Sequence, residues 1–189
     1  VQGQRAEGIP AGYFFVNGGA LTLTGKGKVY EQGPYYGAIL IKGSTEDVAD
    51  YSVVDVGEGV TLEGWAPIFI DYNKGYNCAY GVKVTRAGTA NSVKDTTGAG
   101  GHGVYINGSI KATEGNVPQI TLTETSKVTS VGNGIYAAGY AHWTLAGDVS
   151  GADALSIKSG TFTITGGDYR GTGSFADPAE AHGNGSENT

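Results

Sequence analysis

Apolar residues in this chain fall two apart, in short runs closed by glycine, asparagine, aspartate or serine. Two kinds of run recur. In the first, a small residue precedes apolar-x-apolar: "GAILIKG" (37–43), "APIFIDY" (66–72), "YGVKVTR" (80–86), "HGVYING" (102–108), "NGIYAAG" (133–139) and "DALSIKSG" (153–160). In the second, the alternation is threonine-rich: "ALTLTG" (20–25), "GVTLEG" (59–64), "QITLTE" (119–124), "HWTLAG" (142–147) and "TFTITGG" (161–167). Period-two alternation over so few residues predicts strands. The bounding residues are those that turns favour. No stretch shows apolar residues at helical spacing behind a cap.

Units that return roughly 20–30 residues apart point to a repeat architecture. An antiparallel sandwich has no reason to hold its motifs in register. A solenoid does, because equivalent residues stack about 4.8 Å apart and share one core. The pattern therefore predicts an all-β chain, a single-stranded parallel β-helix of about six irregular coils. It is expected to be right-handed, by the usual preference of parallel connections. Residues 43–52 and 85–101 are expected to leave it as loops. Threading the last coil puts Leu155, Ile157, Phe162, Ile164 and Tyr169 inward. The coil before supplies Ile135, Leu145 and Val149, and the one before that Ile120, Leu122 and Val128.

Composition narrows the picture. The chain has 189 residues, of which 34 are glycine, 39% hydrophobic and 16% charged. That apolar share argues for glycine as turn punctuation in an ordered fold rather than as linker. One domain over 1–189 is expected, excised from a longer chain. The aromatic "IPAGYFFVNGG" within 1–19 is read as an N-terminal cap, and 174–189 as a polar loop or tail. A net charge of −6 with scattered lysines and arginines leaves no positive track for nucleic acid. No apolar run is long enough to span a membrane. The single cysteine, Cys78, cannot form an internal disulfide and is read as a small buried thiol.

Two outward columns carry candidate chemistry. The middle position of the first unit reads Leu40, Phe69, Lys83, Tyr105, Tyr136, Ser156 down the coils, with Trp65 and Tyr72 nearby. An exposed stripe of Phe69, Tyr105, Tyr136, Trp65 and Tyr72 would bind glycan or protein through its rings. The competing reading has loops or a neighbouring domain covering it. The second column is Lys127, Asp148, Asp168. Asp148 and Asp168 about 5 Å apart would share a calcium ion or belong to a salt-linked ladder neutralised by Lys127. No other cofactor is expected. Thr22/Thr24, Thr121/Thr123 and Thr163/Thr165 form outward T-x-T pairs like those of ice-binding faces, with ranks broken at Thr61-Leu62-Glu63 and Thr144-Leu145-Ala146.

The repeated "G-(I/V)-x-(I/V/A)" and "(T)-(L/I)-T-x-G" units over roughly 20–175 resemble the right-handed, pectate-lyase-like β-helix segments of bacterial, Gram-positive surface proteins and adhesins. The resemblance implies an extracellular or cell-surface location and a glycan or host-surface partner. It embraces non-catalytic adhesive modules and stalks, and also polysaccharide lyases and glycoside hydrolases. Lyases of this architecture use calcium-binding acids with a basic residue, for which only Arg170, beside Asp168, lies in the clear repeats. No motif selects a carboxylate pair for glycoside hydrolysis. The expectation is a non-catalytic surface module, with enzyme and ice-binding readings held as alternatives.

Overall fold

A computed structural model of the chain describes residues 12–17, 19–31, 37–42, 52–71, 82–93, 100–107 and 117–173. These form eighteen strands and no helix. In chain order they are β1 (Gly12–Asn17), β2 (Ala20–Leu23), β3 (Gly27–Tyr30), β4 (Gly37–Lys42), β5 (Ser52–Val56), β6 (Val60–Gly64), β7 (Ile68–Asp71), β8 (Val82–Arg86) and β9 (Thr89–Ser92). There follow β10 (Val104–Asn107), β11 (Gln119–Leu122), β12 (Lys127–Thr129), β13 (Ile135–Ala137), β14 (His142–Leu145), β15 (Asp148–Gly151), β16 (Leu155–Ile157), β17 (Thr161–Ile164) and β18 (Tyr169–Gly171).

Each strand pairs in parallel with the strand three places later. The result is three six-stranded sheets: β1-β4-β7-β10-β13-β16, β2-β5-β8-β11-β14-β17 and β3-β6-β9-β12-β15-β18. Successive strands visit the three sheets in turn, a parallel β-solenoid-like arrangement. No helix among the described residues is long and apolar enough to cross a membrane.

Alternation in each strand sends one set of side chains to a common interior. In the first sheet Ile39, Ile68, Val104 and Ile135 stack in register, and so do Ile41, Ile70, Ile106 and Ala137. All eight are fully buried. In the second sheet Val54, Val84, Ile120 and Trp143 share a column. In the third, Leu62, Ala90, Val128 and Val149 do. Burying each valine, leucine or isoleucine side chain of these columns contributes roughly 1.5–3 kcal/mol relative to leaving it in water. The inward positions expected for the last three coils hold. Ile135 pairs with Leu155, Leu145 with Ile164, and Val149 with Tyr169.

Two interior positions break the aliphatic pattern, and each has a small residue in the same turn of chain. Trp143, 1% exposed, comes with Ala137, whose neighbours in its column, Ile106 and Ile157, are both isoleucine. Arg86, wholly buried, stands in the column between Val56 and Leu122, and comes with Ala90 between Leu62 and Val128. Arg86 Nη2 donates to Gly88 O at 2.6 Å and to Lys127 O at 3.2 Å, while Nε and Nη1 have no partner. Burial lowers its pKa to about 9.

Several placements differ from the sequence reading. β8, in "YGVKVTR", belongs to the sheet of threonine-rich strands, so Lys83 pairs with Val53 and Gln119. It does not join the aromatic stripe. Strand β6, in "GVTLEG", belongs to the third sheet, so Thr61 is no break in the threonine ranks. The span 85–101, read as a loop, contains the end of β8 and all of β9. Alternation tells inside from outside but not one sheet from another. "TANS" in β9 was hidden by its polarity, with only Ala90 and Ser92 buried. The aromatic stretch expected as a cap supplies β1, which pairs with β4.

Candidate functional site

The first sheet turns one column outward: Phe15, Leu40, Phe69, Tyr105, Tyr136, Ser156. Parallel in-register pairing stacks these side chains one strand spacing apart. Phe69 and Tyr105 are face to face, with centroids 5.0 Å apart and planes 4° apart. Tyr136 continues the ladder above Tyr105 at 5.3 Å, tilted by 32°. Lys158 Nζ lies 5.2 Å from the Tyr136 ring centre, a cation–π contact at the end of the ladder. All three rungs are half-buried, whereas Leu40 below them is only 2% exposed.

Two further rings brace the ladder from the corner that leads into the sheet. Trp65 sits edge-on to Phe69 at 6.3 Å and to Tyr105 at 5.8 Å. Its Nε1 donates to Gly100 O at 2.9 Å, and its own carbonyl accepts from Ser92 Oγ at 2.8 Å. It is 5% exposed, so it supports the ladder rather than offering a surface. Gly101 passes against it so closely that a Cβ there would run into the Trp65 carbonyl and ring.

His102 is the other brace, 4.7 Å from Tyr136, 5.2 Å from Tyr105 and 6.0 Å from Trp65. Its Nδ1 accepts the backbone N–H of Asn133 at 3.2 Å, which requires that nitrogen to be unprotonated. Burial lowers the His102 pKa to about 4, so the ring is neutral at physiological pH. Asn133 is itself buried, and its Oδ1 accepts the Asp153 N–H at 3.3 Å. The five rings and this chain of hydrogen bonds tie four successive turns of the fold together.

Of the sequence-nominated binding residues, Phe69, Tyr105, Tyr136 and Trp65 come together. Tyr72 and Cys78 lie outside the described residues. Phe15 joins the column and Lys83 leaves it. His102 was not linked to the stripe from sequence. Its position two residues before the "VYIN" strand, where Trp65 stands three before "IFID", was the available signal.

The acidic column lies on the third sheet. Lys127 pairs with Asp148, and Asp168 precedes the Tyr169 that pairs with Val149. Lys127, Asp148 and Asp168, with Ser150, Thr129 and Arg170, line a shallow open groove of about 300 Å³. The two carboxylates are turned to other uses. Asp148 Oδ1 accepts the Asp168 N–H at 3.0 Å, and Asp168 Oδ2 accepts Arg170 Nε at 2.8 Å and also Nη2. The hydrogen bond from Arg170, aided by its charge, holds the Asp168 carboxyl below the usual range. Calcium takes six to eight oxygen ligands. Among the described residues no three acidic, histidine or cysteine side chains are grouped to hold a metal. With a guanidinium on Asp168, the residues present do not fit calcium.

The threonine face is more regular than the sequence suggested. One outward column of the second sheet runs Thr22, Asp55, Thr85, Thr121, Thr144, Thr163. Asp55 is its single departure from threonine.

No family model matches this chain, and comparison with curated proteins and with solved structures gave no match.

Proposed function

We propose that this chain is a non-catalytic extracellular module, a right-handed β-helix of about six coils that serves as a rigid stalk and adhesive surface. The observation that carries the reading is the ladder Phe69, Tyr105, Tyr136, three stacked rings on one outer face. Trp65 and His102 hold these rings in place, so little side-chain entropy remains to be lost on contact. The rings spend their faces on one another and present edges. A sugar stacking on an aromatic needs an open face, whereas tyrosine edges anchor well in protein interfaces. The geometry therefore favours a protein of a cell or host surface over a glycan as partner.

A catalytic reading has less support. The carboxylates of the polar groove are bonded to a backbone N–H and to Arg170. His102 is buried with its Nδ1 engaged. The extracellular assignment rests on the resemblance of the repeat units to bacterial surface β-helices.

The test pairs binding with turnover. The chain is screened on arrays of extracellular glycans and matrix proteins, and incubated with polysaccharides while reducing ends and unsaturated products are followed. Binding to a protein, lost in Tyr136→Ala and Tyr105→Ala variants that still melt cooperatively, is the expected result. Product formation that disappears in Asp168→Asn would overturn it. So would binding that survives both tyrosine substitutions.

A further inference from the structure

Among the described residues Arg86 is the one charged side chain that is fully buried. A guanidinium carries five N–H donors and accepts nothing. Nη2 donates to Gly88 O and Lys127 O, and the donors on Nε and Nη1 have no partner. The charge is not offset either. Burial alone acts on its pKa, with no contribution from a carboxylate, and at about 9 the group stays charged at neutral pH. A buried charge without a counter-charge is strongly unfavourable, and an unsatisfied buried donor in a native fold calls for a partner.

The guanidinium lies at the corner between the second and third sheets. Gly88 O accepts the Lys127 N–H at 3.1 Å as well as Arg86 Nη2, so two successive turns of chain meet there. Ser126, which precedes Lys127 at this corner, is fully buried, and its hydroxyl has no partner. The turn that carries Arg86 also carries Ala90, where Leu62 and Val128 stand on either side, and this leaves room in the interior. The segments that form the corner, 56–60, 86–90, 122–128 and 145–149, all lie among the described residues.

We propose that this corner binds a small monovalent anion, a halide such as chloride, held by Arg86 with the Ser126 hydroxyl as a second donor. The free groups on the guanidinium only donate, and a hydroxyl can do the same, so the fitting ligand is one that only accepts. A water molecule would accept some of these bonds and leave the positive charge in place. A halide accepts from several directions and cancels the charge. A sulfate or phosphate needs more space than the difference between alanine and leucine provides. The ion enters as the coils close and belongs to the folded interior rather than to the surface.

Urea unfolding and refolding of the full chain at equilibrium test this, in mixtures of sodium chloride or bromide with sodium gluconate at constant ionic strength. The expected result is an unfolding constant that falls about tenfold for each tenfold rise in halide above its dissociation constant. Ser126→Ala weakens halide binding and keeps the response. Arg86→Met abolishes the response, and without halide its stability stays close to that of the wild type or above it. Crystals grown in bromide show an anomalous peak within hydrogen-bond distance of Arg86 Nε or Nη1, which keeps the test open should Arg86→Met fail to fold. Wild-type curves that coincide in halide and gluconate, a halide response that survives in Arg86→Met, or crystals with no bromide beside Arg86 would overturn the proposal.

Discussion

Acidification isolates the contribution of His102. Its folded pKa is about 4, against an ordinary value of 6.5, because the ring is buried among Trp65, Tyr105 and Tyr136. The unfolded chain therefore binds a proton that the folded chain refuses between those two values. Stability falls as pH drops through this window and is fully restored above it. Lowering the pH from 7 to 5 costs about 2 kcal/mol from this residue, and continuing to about pH 4 brings the total near 3 kcal/mol. Protonation also removes the acceptor for the Asn133 N–H, so the penalty falls on the hydrogen bond that joins adjacent turns. The Asp168 carboxyl, held low by Arg170, loses its contribution in the same direction but in a more acidic window, and it is exposed. The measurement is urea unfolding at several pH values for the wild type and His102→Gln, which keeps an acceptor and removes the titration. The wild-type curve should fall by about 2 kcal/mol more than the variant's between pH 7 and 5, and the His102 ring resonances should not titrate until about pH 4. A His102 that titrates at 6.5, or two stability curves that run parallel, would refute the reasoning.

Two further outcomes follow from the corner and the interior. Gly101→Ala forces a Cβ into the Trp65 carbonyl and ring, and should cost at least about 2 kcal/mol in urea unfolding with a change in the tryptophan near-ultraviolet signal; a loss under about 0.5 kcal/mol would contradict the close approach. Arg86→Met should leave neutral-pH stability within about 1 kcal/mol of wild type or raise it, because removing an unpaired buried cation offsets the two lost bonds to carbonyls; a loss beyond about 3 kcal/mol would mean that the guanidinium is better compensated than Gly88 O and Lys127 O allow.

Much of the fold was legible. Stacking of Leu145 with Ile164, of Val149 with Tyr169 and of Val128 with Val149 agrees with the sequence reading, because the strands there alternate cleanly, whereas Ile120, matched from sequence to Ile135, stacks on Trp143 in the second sheet while Ile135 stacks on Val104. The stacking of Phe69, Tyr105 and Tyr136 followed from the same register. Legibility failed where alternation was silent or ambiguous. β9 carries one apolar residue in four, and its strand character comes from pairing with β6 and β12 on either side. The strand β8 has the pattern of a first-unit strand, and only its partners β5 and β11 place it elsewhere.

The candidate site divides in the same way. Ring identities and their outward direction were in the sequence. Their exposure was not, because burial depends on what crosses above a residue. Trp65 belongs to the stripe by composition, yet the Gly100–Gly101 backbone passes over it and leaves it 5% exposed. The sequence places Asp148 and Asp168 as neighbours, but the folded chain turns one to a backbone N–H and the other to an arginine.

By itself, then, the sequence pointed to short alternating strands stacked in parallel register, since units that recur in one pattern roughly every 20–30 residues have a reason to do so only where equivalent residues share a column. The tertiary structure decided which sheet each strand joins, which rings are covered, and that Arg86 lies inside. Those depend on neighbours distant in the chain, brought within one strand spacing only when the coils close.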